Sequence, residues 1–123
     1  MKHPIRAAIY CRVATRDQLS LDRQEQIVSN FAKANGYEIS SITKEIFKGT
    51  TMARPGIQEV LDDAKNGEMD ILLILGISRL GRNTIEIVHT FRQLEEYGVE
   101  VESIYEGTSL GKLLGFADKI AAE

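Results

Sequence analysis

The sequence predicts an α/β domain of three layers, αβα, with helices on both faces of a mostly parallel central sheet. Three observations predict it. Two segments, Ala7–Cys11 and Met69–Leu75 (apolar without a break from Ile71), match strands buried on both faces. Helical periodicities separate the strand-like segments. Each of the first three helical patterns closes on a glycine signal, at Asn35-Gly36, Asn66-Gly67 and Gly98.

The elements follow in order. After the first strand the chain turns polar at Arg12, Thr15, Arg16 and Asp17. These residues are expected at the strand's C-terminal end, where open α/β sheets place ligand sites. Ser20 to Asn35 reads as a helix with Ser20 as N-cap and Leu21, Val28 and Phe31 on one face, Ile27 beside Phe31. Tyr37 to Phe47 reads as a half-exposed strand near the sheet edge, with Ile39, Ile42 and Ile46 among polar neighbours. Lys48 to Arg54 is a loop, and Pro55 stands at a first helical position, where its missing N–H is not needed. Ile57, Val60, Leu61 and Ala64 carry the apolar stripe of that helix.

Asn83 with Glu86 forms an N-cap pattern after the third strand, and Ile87, Val88, Phe91 and Leu94 line the helix behind it. Val99 to Tyr105 reads as a fourth strand. A last helix is predicted from Ser109 onward, with Leu113, Phe116, Ala117 and Ile120 as its stripe. That pattern still runs at Glu123, which we read as a truncation within a longer protein.

A chain of 123 residues suits one domain. Its longest apolar run, Ile71–Leu75, is too short to cross a bilayer, and no secretory signal is apparent. Cys11 is the single cysteine, so no internal disulfide forms; a cytoplasmic, reducing location and a buried, inert thiol are expected. His3 and His89 lack metal-ligand spacing and Cys11 is a lone cysteine, so a bound zinc is not expected; no phosphate-cradling glycine loop is present, so nucleotide hydrolysis is not expected either. The net charge of -3 argues against a surface coated for nucleic acid. Any phosphate binding must therefore come from a local cluster of cations.

Such a cluster is predicted. Arg12 and Arg16 follow the first strand, Arg54 closes the loop after the second, and Arg79 and Arg82 follow the third. A parallel sheet puts these strand ends on one edge. Guanidinium pairs with phosphate in a bidentate fork and keeps its charge in any protein environment. Taken singly, a loop arginine is most often a solvated surface residue.

These residues also carry a family resemblance. Tyr10-Cys11-Arg12-Val13-Ala14-Thr15 resembles the Y-x-R-V-S-T motif that opens the serine recombinases, the resolvase/invertase family. Gln18 and Gln24 match the glutamines that follow it. Gly36-Tyr37-Glu38-Ile39, Arg54-Pro55-Gly56, Ser78-Arg79-Leu80-Gly81-Arg82-Asn83 and Gly111-Lys112-Leu113-Leu114 are similar to later family segments, the Ser78–Asn83 stretch to that of the larger transposon and integrase-type members.

The resemblance implies a resolvase-like fold and site-specific DNA recombination. In that chemistry a serine hydroxyl attacks a phosphodiester in line, the protein becomes linked to the 5′ phosphate, and a 3′ hydroxyl leaves. Subunits then rotate and the reaction reverses with new partners, without metal or cofactor. By position Arg12, Arg54, Arg79 and Arg82 match the family's catalytic arginines, with Gln18, Gln24, Glu45, Lys48 and Ser78 as supporting positions. The resemblance further implies double-stranded DNA as partner, a homodimer or tetramer for the full-length protein, and no membrane. Residues 1–123 would be the catalytic domain, cut before the long dimer helix and a separate DNA-binding domain.

The sequence departs from the family where the chemistry is most demanding. The nucleophilic serine falls at position 14, which is Ala14, and a methyl group cannot attack phosphorus. Thr15 would point to the opposite strand face from Arg12, and Cys11 and Ser20 are no better placed. Glu45 stands where the family usually has Asp, and Lys48 where it often has Ser. Three readings stay open: a recombinase catalytic domain inactive as written, a pseudo-recombinase that acts as a DNA-associated interaction module, and a phosphate- or nucleotide-binding regulatory domain.

Overall fold

The structure, a computed structural model, describes residues 3–13, 18–46, 55–81 and 83–109, with backbone alone at 18–20, 108 and 109. Five strands, β1 (Arg6–Val13), β2 (Glu38–Ile46), β3 (Ile71–Ile74), β4 (Glu100–Ser103) and β5 (Thr108–Ser109), form one sheet in the order β2-β1-β3-β4-β5. β1 pairs in parallel with β2 and β3, and β3 in parallel with β4, while β5 runs antiparallel to β4. Helix α1 (Gln18–Ala34) packs on one face; α2 (Pro55–Lys65) and α3 (Thr84–Glu96) pack on the other.

Strand alternation explains the unbroken apolar runs. Ala7, Ile9, Cys11 and Val13 point to α1 and meet Leu21, Val28 and Ala32. Ala8 and Tyr10 point the other way and join Ile57, Val60, Leu61, Phe91 and Leu94. A strand covered on both faces reads as a continuous apolar run, here from Ala7 to Cys11. β2, at the sheet edge as its mixed pattern predicts, leaves Ile42 and Ile46 exposed.

The helix stops are local chemistry. Gly36 takes φ +73°, which any residue with a Cβ adopts only under strain. There the Gly36 N–H donates to the Lys33 carbonyl and the Tyr37 N–H to that of Ala32, satisfying carbonyls that the helix end leaves open. Gly67 and Gly98 repeat the pattern after α2 and α3. Pro55 opens α2, and Asn83 caps α3 by accepting the Glu86 N–H at 2.9 Å.

Four expectations need correction. α1 begins at Gln18, so Ser20 lies inside the helix; Thr15 and Asp17 are equally good cap formers by type, and the sequence alone does not choose among them. Val88, expected in the stripe of α3, is only half-buried, whereas on α1 Phe31 packs beside Ala32 against the core as expected. The first strand runs on through Arg12 to Val13, because β2 continues to pair with it as far as Ile46. Ser109 belongs to β5, not to a helix; a two-residue strand is held by its neighbour and has no periodicity of its own. The remainder of the predicted last helix lies outside the described residues.

Candidate active site

β1 outruns its pairing with β3, which covers only Ala7 to Ile9. Gln24 of α1, itself buried, takes over further along. Its side-chain oxygen accepts the Arg12 N–H at 3.3 Å, and its side-chain nitrogen donates to the Arg12 carbonyl at 3.0 Å. The amide thus stands in for the strand missing on the β3 side, while β2 continues to pair on the other.

The Arg12 side chain leaves on the face of α2 and α3 and is 9% exposed. Its Nη2 donates to the Ser78 carbonyl at 2.9 Å and lies 3.4 Å from the Gly81 carbonyl. Both acceptors belong to the segment after β3, where a short 3-10 turn spans Ile77–Arg79. Arg12 and Arg79, 67 positions apart in a chain numbered to 123, therefore stand at one edge of the sheet. Arg79 lines a groove of about 130 Å³ with Arg23, Gln24, Ile27, Leu75 and Tyr105.

Gly81 is seated against the first turn of α3. A Cβ there would lie 2.6 Å from the Glu86 Cβ and 2.8 Å from the Ile87 nitrogen. No other residue type lets the segment approach the helix this closely.

Glu45, in register with Arg12 on β2, forms a second network. It is buried, accepts the Tyr10 hydroxyl at 2.5 Å on one carboxylate oxygen, and accepts the Gly56 N–H at 2.6 Å on the other. The carboxylate so placed meets the open N–H groups and the positive end of α2. Gly56 has no Cβ to collide with it; one would fall 2.9 Å from the Glu45 carboxyl carbon.

Cys11 is fully buried, and burial foremost, with the charge of Glu25, pushes its thiol up to about 11 against the opposing pull of Lys44 and Arg79. It stays a protonated thiol near neutral pH. Among the described residues no cluster of His, Cys, Asp or Glu could hold a metal ion.

Of the positions singled out from sequence, the structure places Arg12, Gln24, Glu45, Ser78 and Arg79. Arg12, Gln24, Ser78 and Arg79 meet around one strand end, with Ser78 contributing its carbonyl, while Glu45 sits beside them on β2. Gln18 lies in the first turn of α1. Ala14, Arg16, Lys48, Arg54 and Arg82 lie outside the described residues. Sequence reasoning did not single out Ser103, the last residue of β4, or Tyr105 and Glu106, which follow it at the same sheet edge. Their position at or just beyond a strand's C-terminal end was the available signal.

The mostly parallel αβα sheet, with Arg12 and Arg79 at the C-terminal ends of its first and third strands, is the arrangement that the resemblance to serine recombinase catalytic domains implies. The comparisons with known proteins agree. Residues 7–120 match the family model "Resolvase, N terminal domain", and the chain belongs to that family. The Transposon Tn2501 resolvase of Escherichia coli is 32% identical over 106 residues, covering 83% of this chain and 51% of that protein. Serine recombinase PinR of Escherichia coli (strain K12) is 33% identical over 102 residues, 80% of this chain and 48% of that protein. The chain thus spans about half the length of these relatives. Among solved structures, the N-terminal catalytic domain of TP901-1 integrase superposes with a TM-score of 0.84 at 25% identity, over 95% of this chain and 94% of that one.

Proposed function

We propose that this chain is the catalytic-domain portion of a protein of site-specific DNA recombination, with an arginine-lined edge that receives a backbone phosphate of double-stranded DNA. The observation that carries the reading is that Arg12 and Arg79 stand after two neighbouring parallel strands, with Arg12 bonded to the backbone of the segment that bears Arg79, in a chain of the resolvase family. Fixed cations at such an edge stabilise the charge that builds on phosphoryl oxygens during in-line displacement. Arg54 and Arg82 join them by their place in the family motif, with Gln18 and Lys48 in support. The protein works in the cytoplasm as a dimer or tetramer, and most of its DNA affinity comes from regions beyond this chain. With few phosphate contacts of its own, the isolated chain binds DNA weakly at physiological salt.

Ala14 gives the reading its particular form. No hydroxyl is available at the nucleophile position, so the chain as written holds a phosphodiester without cutting it. The same residue favours a second reading, a pseudo-recombinase that pairs with active subunits or with DNA. Restoring serine at position 14 in the full-length protein and incubating it with its target site separates the two. A covalent protein–DNA adduct supports a catalytic domain that lacks only its hydroxyl. No adduct, with the fold intact, supports the pseudo-recombinase.

A further inference from the structure

The segment after β3 is gripped from a side that the arginine motif does not use. The Glu106 carboxylate, in the turn between β4 and β5, accepts the Ile77 N–H at 3.1 Å. The hydroxyl of Ser103, a fully buried residue, donates to the same carboxylate oxygen. The intervening backbone follows the segment closely: the Ile104 N–H donates to the Ile74 carbonyl at 3.0 Å and the Tyr105 N–H to the Leu75 carbonyl at 2.8 Å. The Tyr105 ring lies over Gly76, where a Cβ would come within 3.0 Å of it.

We infer that Glu106 is a positioning residue: its carboxylate, aimed by Ser103, holds the Ile77 amide and so sets the 3-10 turn from which Arg79 reaches the phosphate edge. The Arg79 N–H closes that turn on the Gly76 carbonyl at 3.0 Å, so displacement at Ile77 is carried directly to Arg79. Arg12 fixes the far end of the same segment through the Ser78 and Gly81 carbonyls. Two anchors, one anionic at the start and one cationic at the end, leave the arginine backbone little freedom. Preorganisation of this kind matters because a misplaced cation loses its hold on a developing charge. A charged acceptor suits the task, being stronger than a neutral one.

The inference rests on the phosphate-edge reading above, and two measurements on the chain as it stands keep the two apart. The first is amide hydrogen exchange at Ile77 in the unaltered chain, Glu106→Gln and Glu106→Ala. Glu106→Ala is expected to exchange faster at Ile77 by about tenfold or more, with Glu106→Gln in between and the Leu73 and Ile74 amides unmoved. A general loss of stability would raise all of these together, and that result overturns the inference. The second is titration with inorganic phosphate, read at the Arg79 guanidinium by NMR. Glu106→Ala is expected to weaken binding by about fivefold and Glu106→Gln to restore most of it. Equal or tighter binding by Glu106→Ala overturns the inference. No response of Arg79 in the unaltered chain overturns the phosphate-edge reading instead, and the Ile77 exchange then decides the positioning role alone.

Discussion

Gln24 and Arg12 are joined through two hydrogen bonds from one side-chain amide to one backbone residue, 12 positions apart and buried. A helix side chain completes the edge of a strand there, and Arg12 depends on it for its orientation. Gln24→Leu keeps the volume and removes both partners. It leaves a buried N–H and a buried carbonyl without hydrogen bonds, and the expected loss is roughly 2–4 kcal/mol of folding stability. Chemical denaturation of the chain measures it; a loss below about 0.5 kcal/mol, the size of an ordinary surface substitution, refutes the role.

Glu45 and Gly56 are matched in size. A methyl group at position 56 displaces the Glu45 carboxylate from both the Tyr10 hydroxyl and the Gly56 N–H. Gly56→Ala and Glu45→Gln therefore disturb one network and are expected to be non-additive, with a coupling of about 0.5–3 kcal/mol. A double-mutant cycle of unfolding free energies is the measurement. Simple additivity would mean that the two residues do not share the network.

Gly81→Ala meets the main chain of α3, which cannot give way as a flexible side chain can. The expected cost is about 1–3 kcal/mol, the range for forcing extra atoms into a packed site. Gly107, whose Cβ would meet nothing within 4 Å, is the control for crowding, although its φ of +67° adds its own strain. If thermal melts show Gly81→Ala to be as stable as the unaltered chain, the close approach of the 77–81 segment to α3 is wrong.

Asp70 and Arg6 pair across the N-terminal end of the sheet, with the Arg6 backbone N–H adding a third bond at 2.8 Å. The hydrogen bonds from Arg6, ahead of its charge, hold the Asp70 carboxyl below its usual range. A folded-state value below the unfolded one contributes stability at pH above the unfolded value, and that contribution disappears as pH falls through the folded value. Asp70→Asn should therefore be less stable than the unaltered chain near neutral pH, with the gap closing as the solution is made strongly acidic. The pair is solvent-exposed, so the gap should be small and should narrow with added salt. Denaturation curves across acidic pH at two ionic strengths test both points, and a gap that widens on acidification contradicts the assignment.

Much of the architecture could be read from local signals. The apolar run at Ala7–Cys11 declares a strand covered on both faces, and the mixed pattern of Glu38–Ile46 declares an edge. Asn35-Gly36, Asn66-Gly67 and Asn83 mark helix ends within a residue or two, because stops and caps are made by neighbouring residues. β5 escaped notice because two residues paired to β4 carry no periodicity. The start of α1 was misplaced because several cap-forming residues stand in a row.

The residue order alone determined most of the elements and placed Arg12 and Arg79 where parallel strands end, since hydrophobic period, turn chemistry and strand direction act over a few positions. Only the tertiary structure decided how those arginines are held. Gln24 reaches the backbone of Arg12, Arg12 reaches carbonyls 66 and 69 positions away, and Glu106 reaches the Ile77 amide. Each of these is a side chain meeting a backbone group of another element. Every residue offers much the same backbone N–H and C=O, so nothing in the letters marks which one a distant side chain will find.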